Sequence, residues 1–189
     1  MISRRVLLLL ALLLASVPAA AAEDGWRDVA RPGAIVLFRH AIAPGTGDPP
    51  GFVVGDCATQ RNLDERGRAQ ARAIGAAFRQ RGIAVGGVQS SQWCRARDTA
   101  ELAFPGQVRT DPAFNSFFSD RAAEPEATAA ARRILADWQG PGVLVVVTHQ
   151  VNITALTGIV PRSGEGVVVR IDRGQPVVTG RLPPPELPD

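Results

Sequence analysis

Two long apolar segments of the chain are continuous rather than alternating, and each one ends on a histidine. Residues 34–40 read AIVLFRH and residues 143–149 read VLVVVTH. Continuous runs of Val, Ile and Leu are typical of strands that are buried on both faces of a parallel sheet. His40 and His149 are the only two histidines of the chain. Because open α/β sheets bind ligands beyond the carboxyl ends of their strands, both imidazoles are expected at the functional edge.

The pattern around these two runs predicts helices that alternate with shorter strands. Asn62 is expected to cap the first helix, and Glu65 completes a capping box with it. Ser90 or Ser91 is expected to cap the second helix, which runs to about Phe104. The other predicted elements are a helix over residues 124–139, a short helix over about 152–156, strands over 85–89, 107–110 and 143–148, and a hairpin of 166–171 with 176–182 around Asp172, Arg173 and Gly174.

This alternation predicts one domain of the α/β class, a three-layer α/β/α sandwich with a mostly parallel central sheet. Residues 41–56 are rich in Gly and Pro and predict a long surface loop, and such loops are usually functional. Residues 114–123 carry three phenylalanines in an irregular pattern, so we expect them to fold over something. The Pro-rich residues 183–189 predict a flexible tail without regular structure.

The first 22 residues have the pattern of a secretory signal peptide. Arg4 and Arg5 precede an apolar run over residues 6–17, and three alanines close the segment. The run is shorter than the roughly 20 residues that span a membrane, so no stable insertion is expected after cleavage. The mature chain would begin at about Glu23, in the periplasm or outside the cell. The arginine pair leaves both the general and the twin-arginine export route open.

Charge and cysteine content narrow the remaining classes. The formal charge is +3, but Arg4 and Arg5 contribute two of these charges, so nucleic acid is not expected as a partner. Cys57 and Cys94 are the only cysteines, and an even pair in an exported protein predicts a disulfide. A zinc site that uses both cysteines and both histidines is the alternative, although zinc ligands usually come in closely spaced pairs. No metal or cofactor is expected.

The arginines near the strand ends predict an anion pocket. Arg39 precedes His40, and Arg95 falls in the first turn of the second helix, where backbone N–H groups and the helix dipole favour an anion. Guanidinium groups bind phosphate through two hydrogen bonds and keep their charge. Two arginines, two imidazoles and a helix N-terminus therefore predict a pocket for a tetrahedral oxyanion.

The order of these residues resembles the histidine phosphatase superfamily, also called phosphoglycerate-mutase-like. The motifs that carry the resemblance are Arg39-His40-Ala41, residues 90–100 with Arg95 and Thr99, and Thr148-His149; residues 61–71 also resemble the family's first helix. The resemblance covers residues 35–157 and makes 23–182 one histidine phosphatase domain. Export and the turn that contains Cys94 resemble small periplasmic members, including those thought to act on lipopolysaccharide-core heptose phosphate.

The resemblance implies a phosphatase that works without a metal through a phosphohistidine intermediate. His40 would attack phosphorus, His149 would donate to a non-bridging oxygen, and Arg39 and Arg95 would stabilise the developing charge. Thr148 would join the two arginines in binding the substrate, a phosphorylated small molecule, glycan or lipopolysaccharide. The oligomeric state is left open.

The sequence departs from the family pattern where many members carry an acidic proton donor. Residues 113–116 read AFNS and contain no carboxylate. Asp120, Glu124 and Glu165 are the nearest candidates, and we favour Glu165 because its segment follows the second histidine strand; an ordinary turn residue is the alternative. A non-catalytic protein that binds phosphoryl ligands, or a phosphohistidine phosphatase, would also fit a pocket without an acid.

Overall fold

A computed structural model describes residues 25–187, so the predicted signal peptide lies outside the described residues. Residues 25–29 are helical and lead into the sheet. The strands that follow are β1 (Ile35–Arg39), β2 (Val85–Ser90), β3 (Val108–Thr110), β4 (Val143–Thr148), β5 (Gly166–Asp172) and β6 (Gln175–Leu182). The longer helices are α1 (Glu65–Gln80), α2 (Cys94–Ala103), α3 (Glu124–Ala136) and α4 (Gln150–Thr157), and 3-10 turns cover Cys57–Thr59, Pro112–Phe114 and Arg121–Ala123. No described helix has the length and apolar character needed to cross a membrane.

The strands form one sheet in the order β3-β2-β4-β1-β5-β6. The first four strands of that order pair in parallel, and β5 and β6 pair antiparallel at the other edge. The predicted mostly parallel sheet is therefore confirmed. Arg39 at the end of β1 lies opposite Thr148 at the end of β4, so the histidines that follow them leave the sheet side by side.

The two faces of the sheet are covered by different helices. On β1, Val36 and Phe38 pack in a cluster with residues of α1 and α2, whereas Ile35 and Leu37 pack in a second cluster with residues of α3 and α4. The side chains of these four strand residues are fully or almost fully buried. Burial on both faces explains why the strand is continuously apolar, and it confirms the three-layer sandwich.

Two predicted helix caps are wrong by a few residues, for a local reason in each case. Asp64 caps α1, because its Oδ1 accepts a hydrogen bond of 2.7 Å from the N–H of Gly67. The Asn62 amide instead donates to the carbonyl of Cys57 at 2.6 Å. Ser90 belongs to β2, and Ser91 accepts from the N–H of Trp93 in the turn before α2. The side chains of Asn62 and Ser91, which the sequence predicted as caps, therefore form hydrogen bonds within loops near the strand ends.

The remaining elements match the predicted ones with small shifts at their ends. The long helix α3 stops at Ala136, three residues before the predicted end at 139, and α4 begins at Gln150, before the predicted 152. The predicted hairpin is β5 with β6, and its two-residue turn places Arg173 at φ 48° and Gly174 at φ 76°. Positive φ at both turn residues is the geometry that joins twisted strands tightly.

Helix α1 lies unusually close to the loop that follows His40. A Cβ atom at Gly67 would collide with the carbonyl of Ile42, which is backbone and cannot move aside. Gln70, one turn further along α1, accepts from the N–H of Ile42 at 3.0 Å. The helix therefore supports this loop directly with its own backbone surface.

Candidate active site

His40 and His149 meet at the carboxyl ends of β1 and β4. The N–H of His40 donates to the carbonyl of Thr148 at 2.9 Å, which continues the strand pairing by one residue. The two imidazole centroids are 5.4 Å apart with the rings inclined at 66°. The sequence prediction that parallel strands bring the two histidines together is thus confirmed in position.

The imidazole of His40 is held as one tautomer. Nδ1 lies 2.8 Å from the carbonyl oxygen of Ala41, which can only accept, so Nδ1 carries the proton. Burial and, to a smaller extent, the positive charge of Arg95 lower the pKa of His40 to about 3. The ring is therefore neutral at physiological pH, and its Nε2 is the unprotonated nitrogen.

Arg95 directs one edge of its guanidinium at that lone pair. Its Nε lies 3.2 Å from Nε2 of His40. The other edge binds the carboxylate of Asp48, at 2.7 Å from Nη1 to Oδ1 and 3.1 Å from Nη2 to Oδ2. The two side chains are 3% and 8% exposed, so this ion pair is largely withdrawn from water. As predicted, Arg95 stands in the first turn of α2.

Arg39 contributes a donor that is unpaired among the described residues. Its Nη1 donates to the carbonyl of Pro161 at 3.1 Å, but its Nε is buried without a hydrogen-bond partner. Burial lowers the pKa of Arg39, and the charge of Arg95 adds to that shift. A buried N–H without a partner is costly. Arg39 also lines the cavity, where a guanidinium can bind an oxyanion.

His149 is fixed through one ring nitrogen and leaves the other for a ligand. Its Nε2 lies 2.9 Å from the hydroxyl oxygen of Ser91. The Ser91 hydroxyl donates to Oδ1 of Asn115 at 3.2 Å, so in this contact Ser91 accepts, Nε2 of His149 carries the ring proton and Nδ1 is unprotonated. Burial lowers the pKa of His149 well below its usual value, and the neighbouring His40 contributes in the same direction. Like His40, it is neutral at physiological pH.

A third arginine that sequence reasoning had not assigned to the site also lines the cavity. The Nε of Arg61 donates to the carbonyl of Gly47 at 2.6 Å, and its Nη1 donates to the carbonyl of Ala43. Burial lowers the pKa of Arg61, and the charge of Arg95 lowers it further. Arg61 thereby ties the predicted loop to the floor of the cavity and adds positive charge there.

The cavity above these groups has a volume of about 450 Å³. Its floor consists of Arg39, His40, Arg61, Arg95 and His149, with Asp48 beside them, and its walls come from the predicted loops 41–56 and 114–123 and from the start of α4. Apart from Asp48 and the glycines, the wall residues are uncharged and mix polar with apolar side chains: Thr46, Pro49, Pro50, Phe52, Trp93, Ser116, Phe118, Ser119, Gln150 and Val151. A volume of this size suits a small ligand.

Cys57 and Cys94 form a disulfide, with a Cα–Cα distance of 5.7 Å. The bond joins the 3-10 turn after the long loop to the first residue of α2, directly before Arg95. It uses both thiols that the alternative zinc site would have needed. The hydroxyl of Thr99, one turn further along α2, accepts from the N–H of Ala41 at 3.0 Å and so links α2 to the His40 loop.

Two side chains named from the sequence do not line the cavity. Glu165 is 2% exposed, and its carboxylate is bound by Arg181 and by the N–H of Arg162. Thr148 is fully buried, and its hydroxyl donates to the carbonyl of Phe114 at 2.7 Å. Both hold the backbone near the strand ends, which corrects the expected proton-donor role of Glu165 and the expected substrate contact of Thr148.

Asp48 is the second site residue, after Arg61, that the sequence did not predict. Among the described residues that line the cavity, it carries the one carboxylate, whereas Asp120 and Glu124 lie outside the lining. The available signal was an acidic residue followed by two prolines inside a loop already expected to be functional. Nothing in the spacing predicted that Asp48 would pair with Arg95.

Fold and site together define a three-layer α/β protein with an oxyanion pocket at the carboxyl ends of its strands. Residues 35–118 match the sequence model of the histidine phosphatase superfamily (branch 1). No curated protein sequence matches the chain significantly. The predicted resemblance to the histidine phosphatase superfamily is thereby confirmed, and the expectation of a phosphatase is confirmed at the level of enzyme class.

Solved structures with the same fold share little sequence with this chain. The protein histidine phosphatase SixA, in complex with tungstate, is 15% identical with a TM-score of 0.57, over 80% of this chain and 97% of its own. A putative alpha-ribazole-5'-P phosphatase from Escherichia coli is 17% identical with a TM-score of 0.56, over 81% and 99%. A phosphoserine phosphatase from Entamoeba histolytica, in complex with phosphoserine, is 14% identical with a TM-score of 0.56, over 78% and 95%. At these identities the likeness concerns the fold.

Proposed function

We propose that the protein is an exported phosphomonoesterase that forms a phosphohistidine intermediate on His40. The observation that carries the proposal is the state of the His40 ring. Its Nδ1 proton is held by the carbonyl of Ala41, and its neutral Nε2 faces the guanidinium of Arg95. A neutral imidazole with a fixed tautomer is a competent nucleophile toward phosphorus.

In the first step, Nε2 of His40 forms a bond to phosphorus as the bond from phosphorus to the ester oxygen breaks. Negative charge on the transferring phosphoryl group is stabilised by the fixed guanidinium groups of Arg95 and Arg39. The leaving alkoxide takes a proton from water. In the second step water attacks phosphorus, the phosphorus–nitrogen bond breaks, and inorganic phosphate leaves with His40 neutral again.

The described cavity-lining residues offer no free carboxyl group as a proton donor, so we expect the enzyme to prefer substrates whose leaving group needs little protonation. Asp48 is committed to Arg95 through both oxygens, and Glu165 lies outside the cavity. General acid catalysis contributes about 10²–10⁴-fold when a donor is present, so poor leaving groups would react more slowly by such a factor. Compounds with a phosphorus–nitrogen bond, such as phosphohistidine, are therefore a second candidate substrate class.

Export is supported by two independent features of the chain. The first 22 residues have the pattern of a cleavable signal, and the fold contains a disulfide beside the catalytic groups. Disulfides persist in oxidising compartments and are rare in the cytosol. We therefore propose a periplasmic or secreted location, and a phosphorylated small molecule, glycan or lipopolysaccharide as the substrate.

A panel of phosphate compounds tests the function. The purified protein is incubated with aryl phosphates, sugar phosphates, phosphoserine and a phosphohistidine peptide, and phosphate release is measured. We expect turnover that increases as the leaving group improves. Binding of inorganic phosphate without turnover of any compound would identify a phosphoryl-binding protein and contradict the proposal. N-terminal sequencing of the exported protein should give a start at about Glu23.

A further inference from the structure

We infer that Asp48 is a positioning residue, which holds one edge of the Arg95 guanidinium so that the opposite edge faces the phosphoryl site at His40. The inference rests on the proposed function for its catalytic meaning. Its structural content, the placement of a phosphate-binding group, can be tested without turnover.

The carboxylate of Asp48 is saturated with donors. Oδ1 accepts from Arg95 Nη1 at 2.7 Å and from the N–H of Arg61 at 3.2 Å. Oδ2 accepts from Arg95 Nη2 at 3.1 Å and from Trp93 Nε1 at 3.0 Å. Four donors from three residues fix this side chain in one orientation, although it stands on a loop rich in Gly and Pro. The Asp48 carboxylate is therefore held in place and can act as a fixed anchor for Arg95.

The geometry of a guanidinium explains why this anchor matters. Arg95 has five N–H bonds in one plane, and the end-on pair with Asp48 uses one hydrogen of Nη1 and one of Nη2. The remaining side-on edge consists of the Nε hydrogen and the second hydrogen of Nη2. Nε lies 3.2 Å from Nε2 of His40, so this edge is turned toward the attacking nitrogen. A phosphoryl group at His40 would therefore meet two parallel donors while the pair with Asp48 stays intact.

Asp48 remains ionised in this arrangement. Burial by itself would raise its pKa, but the hydrogen bonds and charge of Arg95 hold the pKa below its usual value, and the N–H groups of Arg61 and Trp93 act in the same direction. A carboxylate with a lowered pKa is a poor proton donor at neutral pH. The role that fits is orientation of Arg95, because donors that are fixed before the reaction need no rearrangement during it.

The loop that carries Asp48 is itself secured to the start of α2. The disulfide joins Cys57 to Cys94, and the N–H of Cys94 donates to Oε1 of Gln60 at 3.0 Å. Arg61 binds the carbonyl of Gly47, which is next to Asp48 in the chain. The loop that carries Asp48 and the helix that carries Arg95 are therefore joined by a disulfide as well as by hydrogen bonds.

The test compares Asp48→Asn with Asp56→Asn, a matched control on the same loop whose carboxylate accepts from the N–H of Ala58 and lies outside the described cavity lining. Binding of inorganic phosphate is measured by calorimetry, and kcat/KM is measured for an aryl phosphate and an alkyl phosphate. Asp48→Asn should weaken phosphate binding and lower both kcat/KM values by about 10-fold to 100-fold, less than the 10²–10³-fold loss seen when one oxyanion donor is removed. Asp56→Asn should change neither quantity.

A double-mutant cycle with Arg95→Ala separates positioning from the other roles of a carboxylate. If Asp48 acts through Arg95, Asp48→Asn should have no further effect on either rate in the Arg95→Ala background. A loss confined to the alkyl phosphate, and kept in that background, would instead identify Asp48 as the proton donor and overturn the inference. Tighter phosphate binding by Asp48→Asn would identify a carboxylate that competes with phosphate, and would also overturn it.

Two measurements keep the result interpretable. Thermal melting of each variant shows whether it is folded, and Asp48→Glu retains the buried charge while moving the carboxylate by one methylene. Asp48→Glu should also weaken phosphate binding, because charge in the wrong place cannot orient the guanidinium; unchanged binding in both folded Asp48 variants would refute the inference. If the wild type binds phosphate but turns over no ester, the proposed function fails while the calorimetry still tests the role of Asp48.

Discussion

The Nε of Arg95 lies 3.2 Å from the Nε2 of His40, and the hydrogen bond between them has a defined direction. Because Nδ1 of His40 carries the ring proton, Nε2 accepts and Arg95 donates. The lone pair that would attack phosphorus is thus occupied by the group that would bind the phosphoryl oxygens. In the proposed reaction, an arriving phosphoryl group would accept from this N–H and so free the lone pair.

Replacement of His40 by Ala should abolish turnover of every substrate that the wild type accepts. The cavity contains a second histidine, but the unprotonated nitrogen of His40 is the one that lies 3.2 Å from the guanidinium of Arg95, so His149 is not expected to substitute as the nucleophile. Rapid quench with labelled substrate should trap an acid-labile, base-stable phosphoenzyme on the wild type alone. Substantial turnover by folded His40→Ala protein would mean that the nucleophile is another group.

Replacement of Arg95 by Ala should cost about 3–4 kcal/mol of transition-state stabilisation, the magnitude seen when one oxyanion donor is removed. Arg97 is the matched control, because it lies on the same helix and donates to the sulfur of Cys57 and to Asp98, away from the cavity. Arg97→Ala should leave kcat within a few-fold of the wild type. A larger kcat loss for Arg97→Ala than for Arg95→Ala would contradict this assignment.

Arg95→Ala should also destabilise the fold, because it leaves the carboxylate of Asp48 buried beside a missing partner. Breaking a buried ion pair from one side typically costs about 3–5 kcal/mol. The double variant Arg95→Ala with Asp48→Asn should recover part of that loss in chemical denaturation. If the double variant is less stable than Arg95→Ala, the unpaired carboxylate of Asp48 is not the cause of the stability loss in Arg95→Ala.

The Cys57–Cys94 disulfide should be present in the exported protein. Mass spectrometry of alkylated, non-reduced protein should find no free thiol, and two alkylated cysteines would rule the bond out. In the chain-entropy model, the closure of this loop by the disulfide stabilises the fold by about 4 kcal/mol. The variant with both cysteines changed to Ala should therefore unfold at lower denaturant concentration, and it should bind phosphate less tightly because the disulfide adjoins Arg95.

The stability of the fold should fall as the pH drops below about 6.5. Burial lowers the pKa of His40 to about 3 and that of His149 well below 6.5, so the unfolded chain binds protons that the folded chain does not. Stability is fully present above the unfolded pKa and is lost as the pH falls toward the folded one. Denaturation midpoints at pH 7 and pH 5 should differ more for the wild type than for His40→Gln. Equal differences would mean that His40 is not buried in its neutral form.

Patterns that depend on burial were predictable from the sequence, and this includes most of the fold. The continuous apolar runs that end at His40 and His149 identified central strands, because only two covered faces tolerate such sequences. Parallel pairing then placed both histidines at one edge, and helix position placed Arg95 near them. These inferences need only local periodicity and a rule of topology.

The parts of the site that depend on loop conformation were not predictable in the same way. Asp48 and Arg61 lie close together because a Gly- and Pro-rich loop folds back over the strand ends, and no periodic pattern encodes that path. Glu165 follows the site strand as expected, yet its side chain turns to Arg181 on β6, a contact between residues distant in the chain. Asn62 resembled a helix cap because the sequence alone does not show that its amide is used by the loop.

The close approach of α1 to the carbonyl of Ile42 bears on how this active site can evolve. Any side chain at position 67 would push the helix from the loop after His40, so this support of the nucleophile loop tolerates no larger residue. Phe118 stands at the opposite extreme, on the cavity rim and 49% exposed. Substitutions there meet little resistance from packing. New substrate preferences should therefore accumulate on the rim while the chemistry of the floor is inherited unchanged.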